Sequence, residues 1–309
     1  MNLEQYEALH TRAGWVERED VGRLWIRGQD RRSYLHSLLT NDIEGLSAGT
    51  GTYAALLTPQ GRMVTDMHVF ERGDAVLMTV PRSLAPSIRE RLEQFVFSED
   101  VQVEDVTSAT VQIGLYGPGA ADVRNAIPAE LTQVVMAADE FGLPGFEVIA
   151  SREHEAALID AFAHGGAVPV GAETVDVCRV EAGIPRFLID MRDDTIPLEA
   201  GIEDRAISLT KGCYPGQEII IRVLHRGSGR VARRLVKVGL AAGSRIPRAG
   251  AALHAQERAI GSVTSAAESP AFGRPVALGY VHRDFAEPGT AVDVLFDDGS
   301  RAAGEVLSR

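Results

Sequence analysis

The chain has 309 residues, of which 45% are apolar and 24% are charged, and its formal net charge is −12. These values are typical of a globular protein with two or three domains, and they argue against direct nucleic-acid binding by the whole surface. The chain has no run of about 18 apolar residues, and its polar, acidic N-terminus lacks a secretion signal, so we expect a cytoplasmic protein without membrane contact. Its two cysteines, Cys178 and Cys213, are too few for a disulfide framework or a four-thiolate cluster, and zinc spacing is absent, so no metal site is expected.

The first two thirds of the chain mix short strands and helices. Apolar periodicity predicts strands at residues 22–28, 52–57, 62–71, 75–80, 111–116 and 146–150, and helices after Asp30 and at residues 83–97, 119–125 and 153–162. Because these elements do not alternate regularly as βαβ units, an α+β fold is favoured over a doubly wound sheet.

Beyond about residue 235 the pattern changes to short β-rich runs between glycine and proline turns. The runs cover residues 234–240, 259–266, 276–281 and 291–296. They predict a small antiparallel barrel or sandwich at the C-terminus.

The densest cluster of special residues is the string Lys211-Gly212-Cys213-Tyr214-Pro215-Gly216-Gln217-Glu218. Its glycines allow close backbone approach or a positive φ, and its proline stiffens the turn. A nearby lysine ammonium would favour the thiolate form of the cysteine. The string therefore predicts a loop that presents a reactive thiol, with an ordinary turn around a buried cysteine as the alternative.

Two further segments carry polar side chains in a pattern. On the strand at residues 62–71, Asp66, His68 and Phe70 project to one face, which could hold a flat heteroaromatic ligand or form a polar outer face. Glu181 falls near the end of a helix that Gly183 would close, where the helix dipole disfavours a carboxylate. Glu181 thus needs a partner or a ligand, unless it is a solvated surface residue.

Basic residues dominate the segment between Lys211 and Lys237, which includes Arg222 and Arg226. A local basic field in an acidic protein fits a small polyanionic ligand, and an exposed basic strand pair is the alternative.

Taken together, these motifs resemble the YgfZ family of folate-binding proteins, which is related to the T-protein (aminomethyltransferase) of the glycine cleavage system. The resemblance spans nearly the whole chain, and the Lys-Gly-Cys-Tyr-x-Gly-Gln-Glu string is its most specific part. The matching positions are residues 211–214 and 216–218, Arg179, Glu181, residues 183–185, 196–199 and 261–265, Leu35, and residues 40–42 and 60–62.

The resemblance implies two interlocked folate-binding α+β subdomains followed by a small C-terminal antiparallel β-barrel. We place the folate-binding region at residues 1–234, with subdomains at about 1–105 and 106–234, and the barrel at residues 235–309. The implied ligand is tetrahydrofolate or a derivative.

The resemblance also implies roles for individual residues. Cys213 would be the functional thiol of the signature loop, which also contains Lys211, Gly212, Tyr214, Gly216, Gln217 and Glu218. Glu181 would bind the pterin head in bidentate fashion, and Phe70 would lie beside it. By charge, Arg222 and Arg226 are expected to pair with the glutamate tail of the folate.

The function implied by the family is that of a monomeric tetrahydrofolate-binding accessory protein. It would act in the assembly or maintenance of iron–sulfur proteins, including tRNA-modifying enzymes, with assembly factors or client enzymes as partners.

Two alternatives remain. The first is a folate-dependent aminomethyl or methyl transferase of the T-protein type, in which Asp66 orients the amine. The T-protein has a Gly-Gly-x-x-Asp-Asp segment, and the corresponding Gly61-Arg62-Met63-Val64-Thr65-Asp66 keeps one glycine and one aspartate. The second alternative is a docking scaffold without enzymatic activity.

Overall fold

The computed structural model describes residues 1–226 and 230–308, although the side chain of Arg226 lies outside the described part. The chain divides into two compact units. The first comprises Met1–Leu57, Thr65–Val175 and Arg205–Pro215, and the second comprises Thr58–Val64, Asp176–Asp204 and Gly216–Arg309.

The helices are short and connect the sheets. They are α1 (Leu3–Thr11), α2 (Arg31–Leu38), α3 (Ala85–Glu93), α4 (Ala120–Asn125), α5 (Glu155–His164), α6 (Ala172–Ala182), α7 (Pro197–Ala200), α8 (Glu203–Ala206) and α9 (Gln217–Ile221). Single 3-10 turns occur at Arg82–Leu84, Ala129–Leu131, Arg152–His154 and Arg283–Phe285, and a π-helical segment at Arg222–Arg226. Within the described ranges, none of the helices combines the length and apolar character needed to cross a bilayer.

The first unit contains two five-stranded sheets. Its strands are β1 (Gly14–Glu17), β2 (Val21–Arg27), β3 (Thr50–Leu57), β4 (Met63–Glu71), β5 (Val76–Pro81), β6 (Gln102–Asp105), β7 (Thr110–Tyr116), β8 (Val134–Ala138), β9 (Gly145–Ser151) and β10 (Val168–Pro169). The strand orders are β3-β4-β5-β2-β6 and β10-β1-β7-β9-β8.

The two sheets are interleaved along the chain. Strand β1 lies in the second sheet, antiparallel to β7 and parallel to β10, although β2 follows it directly and belongs to the first sheet. One cluster of buried side chains draws on both sheets: Trp25, Phe70, Ala75, Leu77, Val106, Val134, Met136 and Ile149. The two sheets therefore share apolar packing inside the first unit.

The second unit contains a closed antiparallel barrel with the order β11-β14-β13-β12-β15-β16. Its strands are β11 (Arg233–Leu240), β12 (Ala252–Ala255), β13 (Arg258–Ser269), β14 (Arg274–His282), β15 (Ala291–Leu295) and β16 (Arg301–Leu307). Alternate residues fill its interior, including Val238, Leu240, Leu253 and Val294, each fully buried. Closure leaves no unpaired edge among these strands.

The α+β class and the C-terminal barrel are thus confirmed, whereas several element boundaries differ from the prediction. The helix expected at residues 83–97 ends at Glu93, because Phe95 N–H and Val96 N–H bond to carbonyls three residues back and tighten the chain. Asp30 occupies the N-cap position of α2, but its carboxylate accepts from Asp100 N–H and not from the helix. The strands β12 and β16, rich in alanine and glycine, were not predicted because these residues have low strand propensity.

Candidate functional site

Strand β4 places Asp66 and His68 on one face, as the alternation predicts. Met63, Thr65, Met67 and Val69 are buried on the opposite face, while Asp66 and His68 are half-buried. Both side chains are therefore partly shielded from solvent, and the ligand-binding face stays a prediction beside its alternative, a polar outer face.

Asp66 is held by a tyrosine from the neighbouring strand. Tyr53 of β3 donates its hydroxyl hydrogen bond to Asp66 Oδ2 over 2.8 Å. Burial raises the pKa of Asp66, against the opposing effects of the Tyr53 hydrogen bond and the charge of His68. Burial and the Asp66 charge likewise raise the pKa of Tyr53, so the phenol stays a donor.

His68 faces a carboxylate that enters from the segment before β9. Its Nε2 lies 3.1 Å from Glu140 Oε1, and Glu140 Oε2 accepts from Arg18 Nη1 over 2.6 Å. Burial alone would raise the pKa of Glu140, but Arg18 and His68 outweigh burial and hold that pKa below its ordinary value. A chain of alternating charges thus runs from the guanidinium to the imidazole.

A second carboxylate, Glu147 of β9, shares the same guanidinium. Arg18 Nη1 donates to Glu147 Oε1 over 2.7 Å, and Gln112 Nε2 donates to Oε2 over 2.7 Å. The hydroxyl of Tyr116 also donates to Oε1. Burial and the charge of Glu140 raise the pKa of Glu147. We call the residues Asp66, Tyr53, His68, Glu140, Arg18, Glu147, Tyr116 and Gln112 the carboxylate cluster.

Sequence reasoning missed all of the carboxylate cluster except Asp66 and His68. Two of the missed residues carried a usable signal: Gln112 and Glu147 lie inside apolar strand runs, and a polar group buried there requires a partner. Tyr53 comes from the neighbouring strand β3, Tyr116 from β7, and Arg18 and Glu140 from segments between strands, and no spacing in the chain links these four residues.

The signature loop divides between the units, because residues 211–215 belong to the first and residues 216–218 to the second. Cys213 is exposed, which agrees with a presented thiol. Lys211 donates through Nζ to the carbonyls of His36 and Leu39 at the C-terminal end of α2, and burial lowers its pKa to about 8. The ammonium is therefore engaged by a helix end.

Tyr214 is buried, and its ring lies 5.2 Å from Lys211 Nζ. Gly216 adopts a φ of 83° and lies so close to Thr58 that a Cβ there would meet the Thr58 carbonyl oxygen at 2.6 Å. Only glycine satisfies both conditions, so this position is fixed by backbone geometry. Gln217 begins α9, and Glu218 pairs with Arg222 at 2.7 Å on an exposed face.

The predicted pterin ligand Glu181 lies in the last turn of α6 and is buried. Its Oε1 accepts from Ser269 Oγ at the end of β13 and, over 3.3 Å, from Ala271 N–H in the turn that follows. Gly183 adopts a φ of 75°, as predicted for the residue after the helix. One oxygen of Glu181 is thus engaged within the second unit, and its role toward a pterin stays a prediction.

The remaining predicted ligand contacts are Phe70, Arg222 and Arg226. Phe70 is buried in the apolar cluster shared by the two sheets. Arg222 is exposed and paired with Glu218. The side chain of Arg226 lies outside the described part of the chain. The contacts of Phe70, Arg222 and Arg226 with a folate stay predictions.

Two family models match most of the chain and identify its superfamily. The GCVT N-terminal domain model matches residues 2–141, and the model of the glycine cleavage T-protein C-terminal barrel domain matches residues 233–309. The chain belongs to the glycine cleavage T-protein superfamily. Proteins of this family use tetrahydrofolate, which confirms the predicted cofactor at the level of the family.

Curated relatives match this chain in sequence over most of their length. An aminomethyltransferase of Bacillus pumilus is 28% identical, over 94% of this chain and 85% of its own. An aminomethyltransferase of Listeria monocytogenes is 29% identical, over 94% of this chain and 84% of its own. The crystal structure of aminomethyltransferase T of the glycine cleavage system from Bartonella henselae matches with a TM-score of 0.87 and 23% identity, over 99% of this chain and 88% of that one, which establishes the fold.

These relatives correct the functional prediction. The expected accessory role in iron–sulfur protein assembly and tRNA modification is wrong, because the curated relatives are named aminomethyltransferases. They favour the transferase alternative.

Proposed function

We propose that the protein is a folate-dependent aminomethyl or methyl transferase of the T-protein type. The observation that carries this proposal is the half-buried Asp66 carboxylate, fixed by the Tyr53 hydroxyl at 2.8 Å. By the resemblance of the strand sequence, Asp66 occupies the position of the second aspartate in the Gly-Gly-x-x-Asp-Asp segment of the T-protein.

The residues of the first unit fit a ligand rich in N–H donors. Asp66 is a carboxylate whose pKa burial raises, so a bound N–H or ammonium group would stabilise its ionised form. Tetrahydrofolate supplies the amine nitrogens that accept the one-carbon unit. Asp66 would orient the donor amine and stabilise the positive charge that develops on it, in a site where Tyr53 fixes the carboxylate in advance.

Replacing Asp66 tests this role. We expect Asp66→Asn to reduce kcat with tetrahydrofolate and an aminomethyl or N-methyl donor by about 100-fold or more, the usual effect of removing a preorganised charge-stabilising group. Tetrahydrofolate binding, measured by calorimetry, should weaken much less, because most of the ligand contacts remain. Asp122→Asn on the exposed face of α4 is the matched control, and unchanged turnover in Asp66→Asn would rule out the role.

Several finer assignments belong to the same proposal. The string at residues 211–218 supports placing the chain in the YgfZ branch of the superfamily, with Cys213 and Lys211 as active residues of the loop. The proposed contacts of the ligand are Glu181 and Phe70 with the pterin and Arg222 and Arg226 with the glutamate tail. We retain residues 1–234 as the folate-binding region, with subdomains at about 1–105 and 106–234, and residues 235–309 as the barrel domain.

A further inference from the structure

The pair formed by His68 and Glu140 is the part of the carboxylate cluster that the proposed transfer does not use. The imidazole Nε2 and the carboxylate Oε1 are 3.1 Å apart, and Arg18 binds the other oxygen of Glu140 at 2.6 Å. Three separate segments of the chain converge here: β4, the segment before β9, and the residues after β1. Because all three side chains are half-buried or buried, their charges are only weakly screened.

His68 is also directly coupled to Asp66. The two side chains lie two positions apart on the same face of β4. Tyr53 contacts both of them, since its ring centroid lies 5.1 Å from that of His68 and its hydroxyl lies 2.8 Å from Asp66 Oδ2. A change in the charge of His68 must therefore change the pKa of the Asp66 carboxyl group.

We propose that His68 is a positioning residue for Asp66: as an imidazolium ion paired with Glu140, it keeps the Asp66 carboxylate ionised, while Glu140 limits that effect. This inference rests on the proposed function only in the effect that it predicts on turnover. The ionisation of Asp66 is a property of the unliganded protein.

The charged and titratable groups around the pair come from several elements. His68 faces Glu140, Asp66 and, further away, Glu147, and burial would lower its pKa, but these three carboxylates outweigh burial and raise it. Asp66 faces Tyr53, His68 and Glu140, of which only Glu140 adds to the effect of burial. Three further charged or titratable groups lie nearby. Arg18 binds both glutamates, and Tyr116 donates to Glu147. The guanidinium carbon of Arg205 lies 5.4 Å from the Tyr53 ring centroid.

The two members of the pair should move the pKa of Asp66 in opposite directions. Removing the imidazolium in His68→Gln leaves Glu140 in place, so the pKa of Asp66 should rise by about 1 or more, as expected for loss of a close opposite charge. Removing the carboxylate in Glu140→Gln leaves an imidazolium at acidic pH, so the pKa of Asp66 should fall. The double variant should lie between the two single variants.

The experiment is an NMR titration of the full-length, unliganded protein labelled with ¹³C at aspartate carboxyl groups. The Asp66 resonance is assigned by its loss in Asp66→Asn. In the same samples, the His68 imidazole should titrate above its ordinary pKa in the wild type and lower in Glu140→Gln. His164→Gln, which removes an exposed histidine of α5, is the matched control and should leave the pKa of Asp66 unchanged.

A purely structural role would move the Asp66 pKa in the same direction in both single variants or not at all, and either result would overturn the inference.

The decrease of kcat/KM at acidic pH should follow the protonation of Asp66. If the Asp66 pKa rises by about 1 in His68→Gln, kcat/KM of this variant should be about tenfold lower than that of the wild type at acidic pH. Opposite pKa changes without any turnover in the wild type would contradict the proposed function alone. Turnover in the wild type without opposite pKa changes would contradict this inference alone.

Discussion

At the scale of the residue, the two cysteines occupy opposite environments. Cys213 is exposed in the signature loop, whereas Cys178 is 3% exposed in α6. Burial, followed by the charge of Glu181, raises the pKa of the Cys178 thiol to about 12. Because the thiolate is the nucleophile, the two thiols should differ strongly in reactivity.

We therefore expect a single modified thiol per native chain after brief treatment with iodoacetamide at pH 8. Peptide mass spectrometry should place the label on Cys213, and Cys178 should be labelled only after unfolding in guanidinium chloride. Cys213→Ser should abolish labelling of the native protein. Rapid modification of Cys178 in native Cys213→Ser would show that α6 opens readily.

At the scale of the element, α6 is joined by a buried ion pair to the segment that follows it and by a hydrogen bond to strand β13 of the barrel. Arg179 Nη1 donates to Asp190 Oδ2 over 2.6 Å, and Arg179 Nη2 donates to Ser265 Oγ over 3.0 Å. Asp190 also accepts from the hydroxyls of Thr264 and Ser265 and from Arg186 N–H. Arg179 also pairs through Nε with the half-exposed Asp176 at 2.7 Å. Replacing Asp190 therefore removes the fully buried counter-ion of Arg179 and leaves the hydroxyls of Thr264 and Ser265 without their acceptor.

Asp190→Asn should lower the free energy of unfolding by about 3–5 kcal/mol, the usual cost of breaking a buried pair. The exposed pair of Glu218 and Arg222 provides the matched control, and Glu218→Gln should change stability by less than about 1 kcal/mol. Urea unfolding followed by circular dichroism measures both. Equal effects of the two substitutions would mean that Asp190 contributes no more than a surface charge.

The sequence predicted elements well where a periodic pattern was intact, as in the hairpin of β4 and β5 and in the closing glycine of α6. It could not predict the carboxylate cluster, because Arg18, Tyr53 and Glu140 are brought to β4 by strand pairing and loop geometry. Alternation placed Asp66 and His68 on one face, but it gave no information on which side chains would oppose them. The resemblance of motifs along the whole chain identified the superfamily, but it predicted the wrong function within that superfamily.

At the scale of the whole molecule, the barrel domain has a second apolar face besides its interior. Val180 of α6 packs with Leu235, Val276, Leu278 and Tyr280, all buried. A domain cut at residue 235 would lose this helix and leave that face exposed to water.

An isolated fragment of residues 230–309 should therefore show the circular dichroism of a β-barrel but bind the dye ANS, since its closed interior remains and the outer face is uncovered. The full-length protein should not bind the dye under the same conditions. A fragment that binds no dye and matches the full chain in stability would show that the barrel does not depend on α6.

The interleaving of the two sheets has a consequence for how the polypeptide emerges from a ribosome. Residues 14–17 must wait for partners at residues 113–116 and 168–169, whereas residues 21–26 can pair with residues 76–81 as soon as residue 81 is available. Such distant pairing is slow to form and leaves an unsatisfied backbone edge in the meantime. The N-terminal strand is thus the segment of the nascent first unit most in need of protection from premature association.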